Sequence, residues 1–338
     1  MLTRRSFLIR SATVGLGVAA PWLARKAHAA ESVRTFTFAY DEPHETGYGY
    51  MADTFDQKLQ ELSGGTFKIR QFPNAALGTE PETAQKVRTG DIDFVINTTA
   101  NMASVVPQAG VFSLHYIFRD KVHLQKCVSD PGINAAFKQM VAENTTGARS
   151  LGLTTMGMRS MYSKFLISNV HDISGKKFRV QATKTEDVFV SAYSAIPVHM
   201  PFGQVYTSLQ TGLVNIAEND TNVYLQNKHY EVAPVLSETE HEANNFHLWV
   251  SDKLWNSLTD QQRQWVQEAA DYARPLATRK SLEYEAEAVN TLKKLGVTYH
   301  EQVDKKTFEA LATPLQTKVA EDLGKYAVQI LAMVRKLA

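Results

Sequence analysis

Residues Ile196 to Tyr224 read as strand, helix, strand, and the second strand runs out into three consecutive polar side chains. Ile196 to His199 is a short β-branched run closed by Pro201, Val205 and Leu209 fall four apart on one helical face, and Gly212 supplies a left-handed cap. Leu213 to Ala217 resumes an apolar strand that expires at Glu218, Asn219 and Asp220. Such a unit commits the chain to an open α/β sheet, where ligands bind beyond the carboxyl ends of strands. Asn and Asp are also preferred helix N-caps, so the local pattern by itself favours capping for this cluster.

The same alternation runs along the chain. Arg34 to Tyr40 alternates as a strand, Met51, Phe55, Leu59 and Leu62 recur at helical spacing, and Gly64-Gly65 ends that helix. Phe67 to Gln71 is a second strand, and Thr79 with Glu82 makes a capping box for a helix reaching Thr89. Ile92 to Ile96 is an apolar strand ending at Asn97-Thr98-Thr99, a second polar cluster at a strand tip. Arg149 to Thr155, Met158 to Ser163 and Lys177 to Gln181 read as further strands, which predicts α/β lobes with mostly parallel sheets. After the strand Asn244 to Val250, a helical period holds from Thr259 to about Leu295 with Pro275 inside it, long enough to bridge two lobes. Val297 to His300 and a final helical segment complete the pattern.

The first thirty residues bear on location. Thr3-Arg4-Arg5-Ser6-Phe7-Leu8 is a twin-arginine signature, followed by a weakly apolar stretch and the small-residue site Ala27-His28-Ala29. The expectation is a Tat-type signal peptide over residues 1 to 29, cleaved after Ala29, and a mature protein in the periplasm; Ile9 stands where a lysine is often found, which leaves Sec export open. Taking the five basic side chains of that segment from the 36 in the chain leaves 31 against 35 acidic ones, a formal charge of −4. No basic stripe with interleaved aromatics is visible, so a nucleic-acid partner is not expected, and no second long apolar run implies membrane embedding. Cys127 is the single cysteine, which excludes an internal disulfide and suits helix packing.

Reaction machinery is missing from the pattern. The sequence has no nucleophile elbow, phosphate-binding glycine loop, dinucleotide fingerprint or paired-histidine zinc motif. His241 and His247, with Glu242 nearby, match no standard metal spacing, so packing roles are expected for them and neither metal nor cofactor. The chain reads as a binding protein and not an enzyme, although Tat export would also suit a periplasmic enzyme loaded with a cofactor before export.

Several segments together resemble the solute-binding subunit of tripartite ATP-independent periplasmic (TRAP) transporters, the DctP family. They are Ala76-Leu77-Gly78 with Thr89-Gly90-Asp91-Ile92-Asp93-Phe94, Tyr116-Ile117-Phe118-Arg119-Asp120, Ser174-Gly175-Lys176-Lys177-Phe178-Arg179-Val180, and Met200-Pro201-Phe202-Gly203-Gln204-Val205-Tyr206 through Gly212 to Glu218-Asn219. The resemblance implies a two-lobed periplasmic binding protein of type II-like α/β fold with a long helix spanning both lobes. The expected lobes are 30–156 with 245–284, and 157–244 with 285–338. It also implies delivery of a small carboxylate-containing ligand to the membrane subunits of a TRAP transporter; delivery to a sensor is not distinguished by sequence.

Carried over by motif, Arg179 is similar to the arginine that clamps the ligand carboxylate, a task suited to a guanidinium's two parallel charge-assisted hydrogen bonds. Asn219 is similar to a second polar partner, Arg159 to a second arginine approaching the same group, and Phe202 to an aromatic residue packed on the ligand's carbon skeleton. Where the family usually has proline two residues after the clamping arginine, this chain has Gln181. In the opposite lobe Glu80, Asn97 and Thr98 occupy positions similar to ligand contacts, and Tyr40 to His44 follows the first strand. Acceptors and amides opposite an arginine suit a sugar acid or related hydroxy acid, with a C4-dicarboxylate or keto acid as the alternative ligand.

Overall fold

The computed structural model describes residues 32–338; the expected signal peptide and its cleavage site lie outside the described residues. Nine strands, all in one sheet, are found among them: β1 (Arg34–Ala39), β2 (Phe67–Phe72), β3 (Phe94–Thr98), β4 (Ala148–Ser163), β5 (Lys177–Val180), β6 (Ile196–His199), β7 (Ile216–Asn219), β8 (Val235–Ser251) and β9 (Thr298–His300). The helices that frame the site are α1 (Gly47–Leu62), α2 (Glu80–Thr89), α3 (Thr99–Met102), α4 (Lys121–Ser129), α5 (Pro131–Asn144), α6 (Lys184–Ala192), α7 (Val205–Thr211) and α8 (Thr221–Gln226). They are followed by α9 (Asp252–Ser257), α10 (Asp260–Lys294), α11 (Lys305–Leu323) and α12 (Lys325–Leu337).

The sheet runs β2-β1-β3-β8-β4-β7-β5-β6, with β9 beside β8. Pairing is parallel at both ends, β1 with β2 and β3, β5 with β6 and β7, but antiparallel through the middle, where β8 pairs β3 and β4 and β4 pairs β7. The fold is therefore two-lobed α/β as expected, but its sheet is mixed and continuous rather than mostly parallel within each lobe. The difference comes from β4 and β8. Arg149 to Thr155 and Met158 to Ser163 are one strand, because Gly152 and Gly157 take φ of 138° and 123° and turn what reads as a break into bulges. The β8 strand begins well before Asn244, in a buried but polar stretch that carries no apolar alternation.

This topology sets the strand tips against one another. Thr98 at the end of β3 lies opposite Phe246 of β8, which lies opposite Thr154 of β4. Asn219 at the end of β7 lies opposite Ser160 of β4. Since β3 runs with β4 and β7 runs against it, the carboxyl ends of the two parallel groups face each other across residues 154–160 of β4. The middle of β4 and β8 therefore forms the floor of a cleft, and Arg159 and Asn244 stand on it.

The lobes are filled conventionally. Phe36, Phe38, Phe55 and Phe94 stack around the first parallel group with centroids 5.2 to 6.0 Å apart. The 35-residue α10 is opened by the expected Thr259–Gln262 capping box and passes Pro275 without ending. At a rise of about 1.5 Å per residue it is roughly 52 Å long, and it packs on α1 at one end and on α8 and β9 at the other.

Gly157 links this frame to the site, because its bulge resets the register just before Arg159. A Cβ there would stand 2.7 Å from Glu285 Oε2 at a φ few side chains adopt. Gly157→Ala is expected to lower unfolding free energy by about 1 to 3 kcal/mol, read from the urea midpoint; an unmoved midpoint would show that the bulge tolerates a side chain.

Candidate functional site

Between the facing strand tips lies a small, tightly lined cavity walled by Asp41, Glu42, Glu80, Thr98, Asn101, Arg159, Arg179, Gln181, Phe202, Asn219 and Asn244. Of the residues expected from sequence, Arg179, Arg159, Phe202, Asn219, Glu80 and Thr98 are brought together here. Tyr40 and Asn97 are not. Tyr40 follows the inward parity of Phe36 and Phe38, packs edge-on against Phe38 and Tyr48, and donates its hydroxyl to Gln71 at 2.7 Å. Asn97 turns its amide onto α2, donating to the Glu80 carbonyl at 3.3 Å and to Thr83 Oγ1 at 3.2 Å.

The two arginines differ in what they have left to offer. Arg159 spends all five N–H groups on protein: both Glu218 carboxylate oxygens, the Glu218 carbonyl at 3.1 Å, Asn219 Oδ1 at 3.3 Å and Asn244 Oδ1 at 2.8 Å. It holds the floor of the site rather than reaching into it. Arg179 is equally buried but loosely held. Its Nη2 donates to the Met200 carbonyl at 3.3 Å, its Nη1 lies 3.6 Å from Glu218, and its Nε has no partner among the described residues. The Phe202 ring centroid is 6.0 Å from its guanidinium carbon. A buried guanidinium with unspent donors at a cavity wall is a ready receptor for a carboxylate.

Capping and site roles divide between neighbours at the end of β7. Asp220 is the N-cap of α8, accepting from Val223 N at 2.9 Å, while Asn219, still within the strand, accepts from Arg159 and from Asn244 Nδ2 at 2.8 Å. The strand is also shifted from its expected span: Leu213 is exposed, and pairing with β4 carries the ladder through Glu218 and Asn219.

The facing wall is acidic. Glu80 is filled by protein donors, taking Thr98 Oγ1 at 2.6 Å, Asn101 Nδ2 at 2.7 Å, Thr98 N at 2.9 Å and Tyr48 OH at 3.0 Å. Gln181 Nε2 reaches across the cleft to Thr98 Oγ1 at 3.0 Å, so the residue standing where the family usually has proline joins the two walls. Within the Tyr40 to His44 segment it is Asp41 and Glu42, not the expected Tyr40, that line the cavity; the parity that sends Tyr40 into the core turns Asp41 the other way. Burial, then the charges of Glu80 and Glu42, hold Asp41 well above the usual carboxylate range. Glu42 is pushed up to about 8, by burial first and then by Asp220.

A pH dependence follows. Between the unfolded carboxyl value of about 4.3 and the folded value the native chain keeps a proton that the unfolded chain has released. Glu42 therefore makes stability fall as pH rises through that window, up to about 8, and level off beyond it. Glu42→Gln is expected to flatten that fall in a series of unfolding midpoints taken across pH; an unchanged slope would place the Glu42 proton elsewhere.

The profile of the family described as bacterial extracellular solute-binding protein, family 7 (DctP), matches residues 38–322. The chain belongs to this family. Members of the DctP family are solute-binding proteins. Among relatives, the chain is 29% identical over 285 residues to the sialic acid-binding periplasmic protein SiaP of Vibrio cholerae, covering 83% of this chain and 86% of that one. It is similar to the TRAP periplasmic solute-binding protein of a Polaromonas species solved with D-erythronate, at 27% identity and a TM-score of 0.83, covering 89% and 98% of the two chains. It is also similar to one from a Bradyrhizobium species solved with galacturonate, at 28% identity and a TM-score of 0.82, covering 90% and 100%. Among the described residues, no helix of this DctP-family chain is long and apolar enough to cross a membrane.

Proposed function

We propose that the chain captures a small hydroxylated organic acid, a uronate, an aldonate or a near relative, in the periplasm and delivers it to the membrane subunits of a TRAP transporter. The observation that carries this reading is Arg179, whose unspent donors face a cavity walled on the other side by acceptors and amides. In this reading Arg179 grips the carboxylate and Phe202 covers the carbon skeleton. Asn219 and Asn244 are held in place by Arg159, while Asp41, Glu42, Thr98 and Asn101 receive or donate hydrogen bonds to hydroxyls. The galacturonate and D-erythronate of the two solved relatives are of this class.

The proposed lobes, 30–156 with 245–284 and 157–244 with 285–338, divide β4 at the Gly157 bulge and β8 beside Asn244, so the chain would bend at the level of the site. Closure would exclude water, strengthening each polar contact by lowering the local dielectric. Export by the proposed signal peptide, cleaved after Ala29, would place the mature chain in the periplasm, acting as a carrier with no catalysis of its own.

Thermal-shift screening tests the ligand class. Uronates and aldonates are expected to raise the unfolding midpoint, since a ligand at about 100 times its Kd stabilises the fold by about 2.7 kcal/mol. A screen in which only simple C4-dicarboxylates or branched keto acids raise it would overturn the hydroxy-acid reading.

A further inference from the structure

Outside the ligand cavity, a second polar cluster is built around β8. His241 and Glu242 are adjacent and buried, and buried His115, from the segment before α4, stands against them. One nitrogen of each ring and one oxygen of Glu242 lie within 4.8 Å of one another, and the two rings meet edge to face with centroids 4.8 Å apart. Each histidine has its outer nitrogen occupied. His115 Nδ1 shares a hydrogen bond with Tyr193 OH at 2.9 Å, and His241 Nδ1 shares one with Thr239 Oγ1 at 2.8 Å. The nitrogen left on each ring is Nε2.

That centre lacks partners. His241 Nε2 and Glu186 Oε1 are both buried and without a hydrogen-bond partner among the described residues, while the Ser113 hydroxyl lies against the Glu242 carboxylate. Orphaned polar atoms are rare in native interiors, and two of them beside one carboxylate point to a missing common partner. Charge points the same way. Glu186, Glu218 and Glu242 each bring an oxygen within 4.8 Å of the others. Two arginines stand among them: Arg159 pairs with Glu218 and lies 3.8 Å from Glu242, and Arg179 lies 3.6 Å from Glu218. Three carboxylates against two guanidinium groups leave one negative charge in a desolvated volume, a costly state unless a proton or a cation balances it.

We propose that His115, His241 and Glu242 bind a divalent first-row cation of the zinc class, with Glu186 supplying the nearest further oxygen. Two imidazoles and a carboxylate are a zinc donor set, and the bonds of Tyr193 and Thr239 to Nδ1 leave Nε2 of each ring to ligate, the division of roles that outer partners impose in metal sites. None of the three ligands lines the ligand cavity, so the role is structural: the ion neutralises the acids packed against Arg159 and so steadies the floor of the site. The proposal departs from the sequence expectation of no metal, because the spacing of His241 and His247 conceals a partner, His115, more than a hundred residues away.

The test is metal analysis of the purified full chain after dialysis against metal-free buffer, together with anomalous diffraction at the zinc edge. About one ion per chain is expected, with an anomalous peak between His115 and His241. His241→Gln and Glu242→Gln are each expected to lower the bound metal about tenfold or more. If either variant fails to fold, the wild-type anomalous map still decides the matter. Wild-type protein holding less than about a tenth of an equivalent, with no rise in unfolding midpoint on adding Zn2+, would overturn the proposal and leave protons as the balancing charge. Metal retained undiminished in both folded variants would also overturn it, by placing the ion on surface histidines.

Discussion

Replacing Arg179 with alanine is expected to weaken ligand binding by about 3 to 5 kcal/mol, the usual cost of removing one partner of a buried charge pair. That is about two to nearly four orders of magnitude in Kd. The size of the effect follows from how Arg179 is held. Its bonds to protein are long or absent, at 3.3 Å to Met200 and 3.6 Å to Glu218, so most of its hydrogen-bonding capacity is unspent. The fold should lose little with it, whereas a bound carboxylate would lose its main counter-charge. Arg179→Lys is expected to restore only part of the affinity, since an ammonium keeps the charge but not the paired geometry. Calorimetric titration measures both; near-native affinity in Arg179→Ala would remove the residue from the site.

Arg159 should behave in the opposite way. Its five donors are all spent on Glu218, Asn219 and Asn244, so Arg159→Met strands the Glu218 carboxylate in the interior together with the Asn244 amide oxygen, while Asn219 Oδ1 keeps its bonds from Asn244 Nδ2 and Asp220 N. A loss of unfolding free energy of about 3 to 5 kcal/mol is expected, read from denaturant titration. Removing Glu218 as well, in Arg159→Met with Glu218→Leu, is expected to recover much of it, because replacing both partners of a buried pair is far less costly than orphaning one. An Arg159→Met protein within about 1 kcal/mol of wild type would show that the pair adds nothing to the fold. The two arginines, alike in sequence context and burial, are thus separated by opposite readouts, affinity for Arg179 and stability for Arg159.

Much of the frame is legible from residue pattern. Helix caps at Thr79, Gly212 and Thr259, and the long helix through Pro275, stand where spacing and cap chemistry put them. The sheet's mixed centre is not legible, for two physical reasons. Gly157 reads as a break between two strands and Gly152 as an ordinary strand position, and only the pairing partner shows that both sit at bulges. The first half of β8 is polar because it faces buried polar groups, so it lacks the alternation by which a strand is recognised.

The site divides along the same line. Arg179, Phe202 and Asn219 are found through motif resemblance, not through chemistry visible in a linear chain. The choice between cap and site role at Asn219 and Asp220 is settled by strand length, since one further residue of pairing with β4 leaves the cap to Asp220. Tyr40 could have been placed in the core by parity with Phe36 and Phe38, and the same parity would have singled out Asp41. Asn97 and Thr98 show the limit of a strand-tip rule: of two adjacent polar residues, one turns onto α2 and the other into the cavity.

The claim that the site recognises a carboxylate through Arg179 is tested most directly by titrating a matched pair, a stabilising sugar acid and its neutral carboxamide, into the same protein. The geometry predicts tight binding of the acid and affinity for the amide weaker by about a hundredfold or more, as charge-assisted bonds to a buried guanidinium are lost. Equal affinity for acid and amide would contradict it.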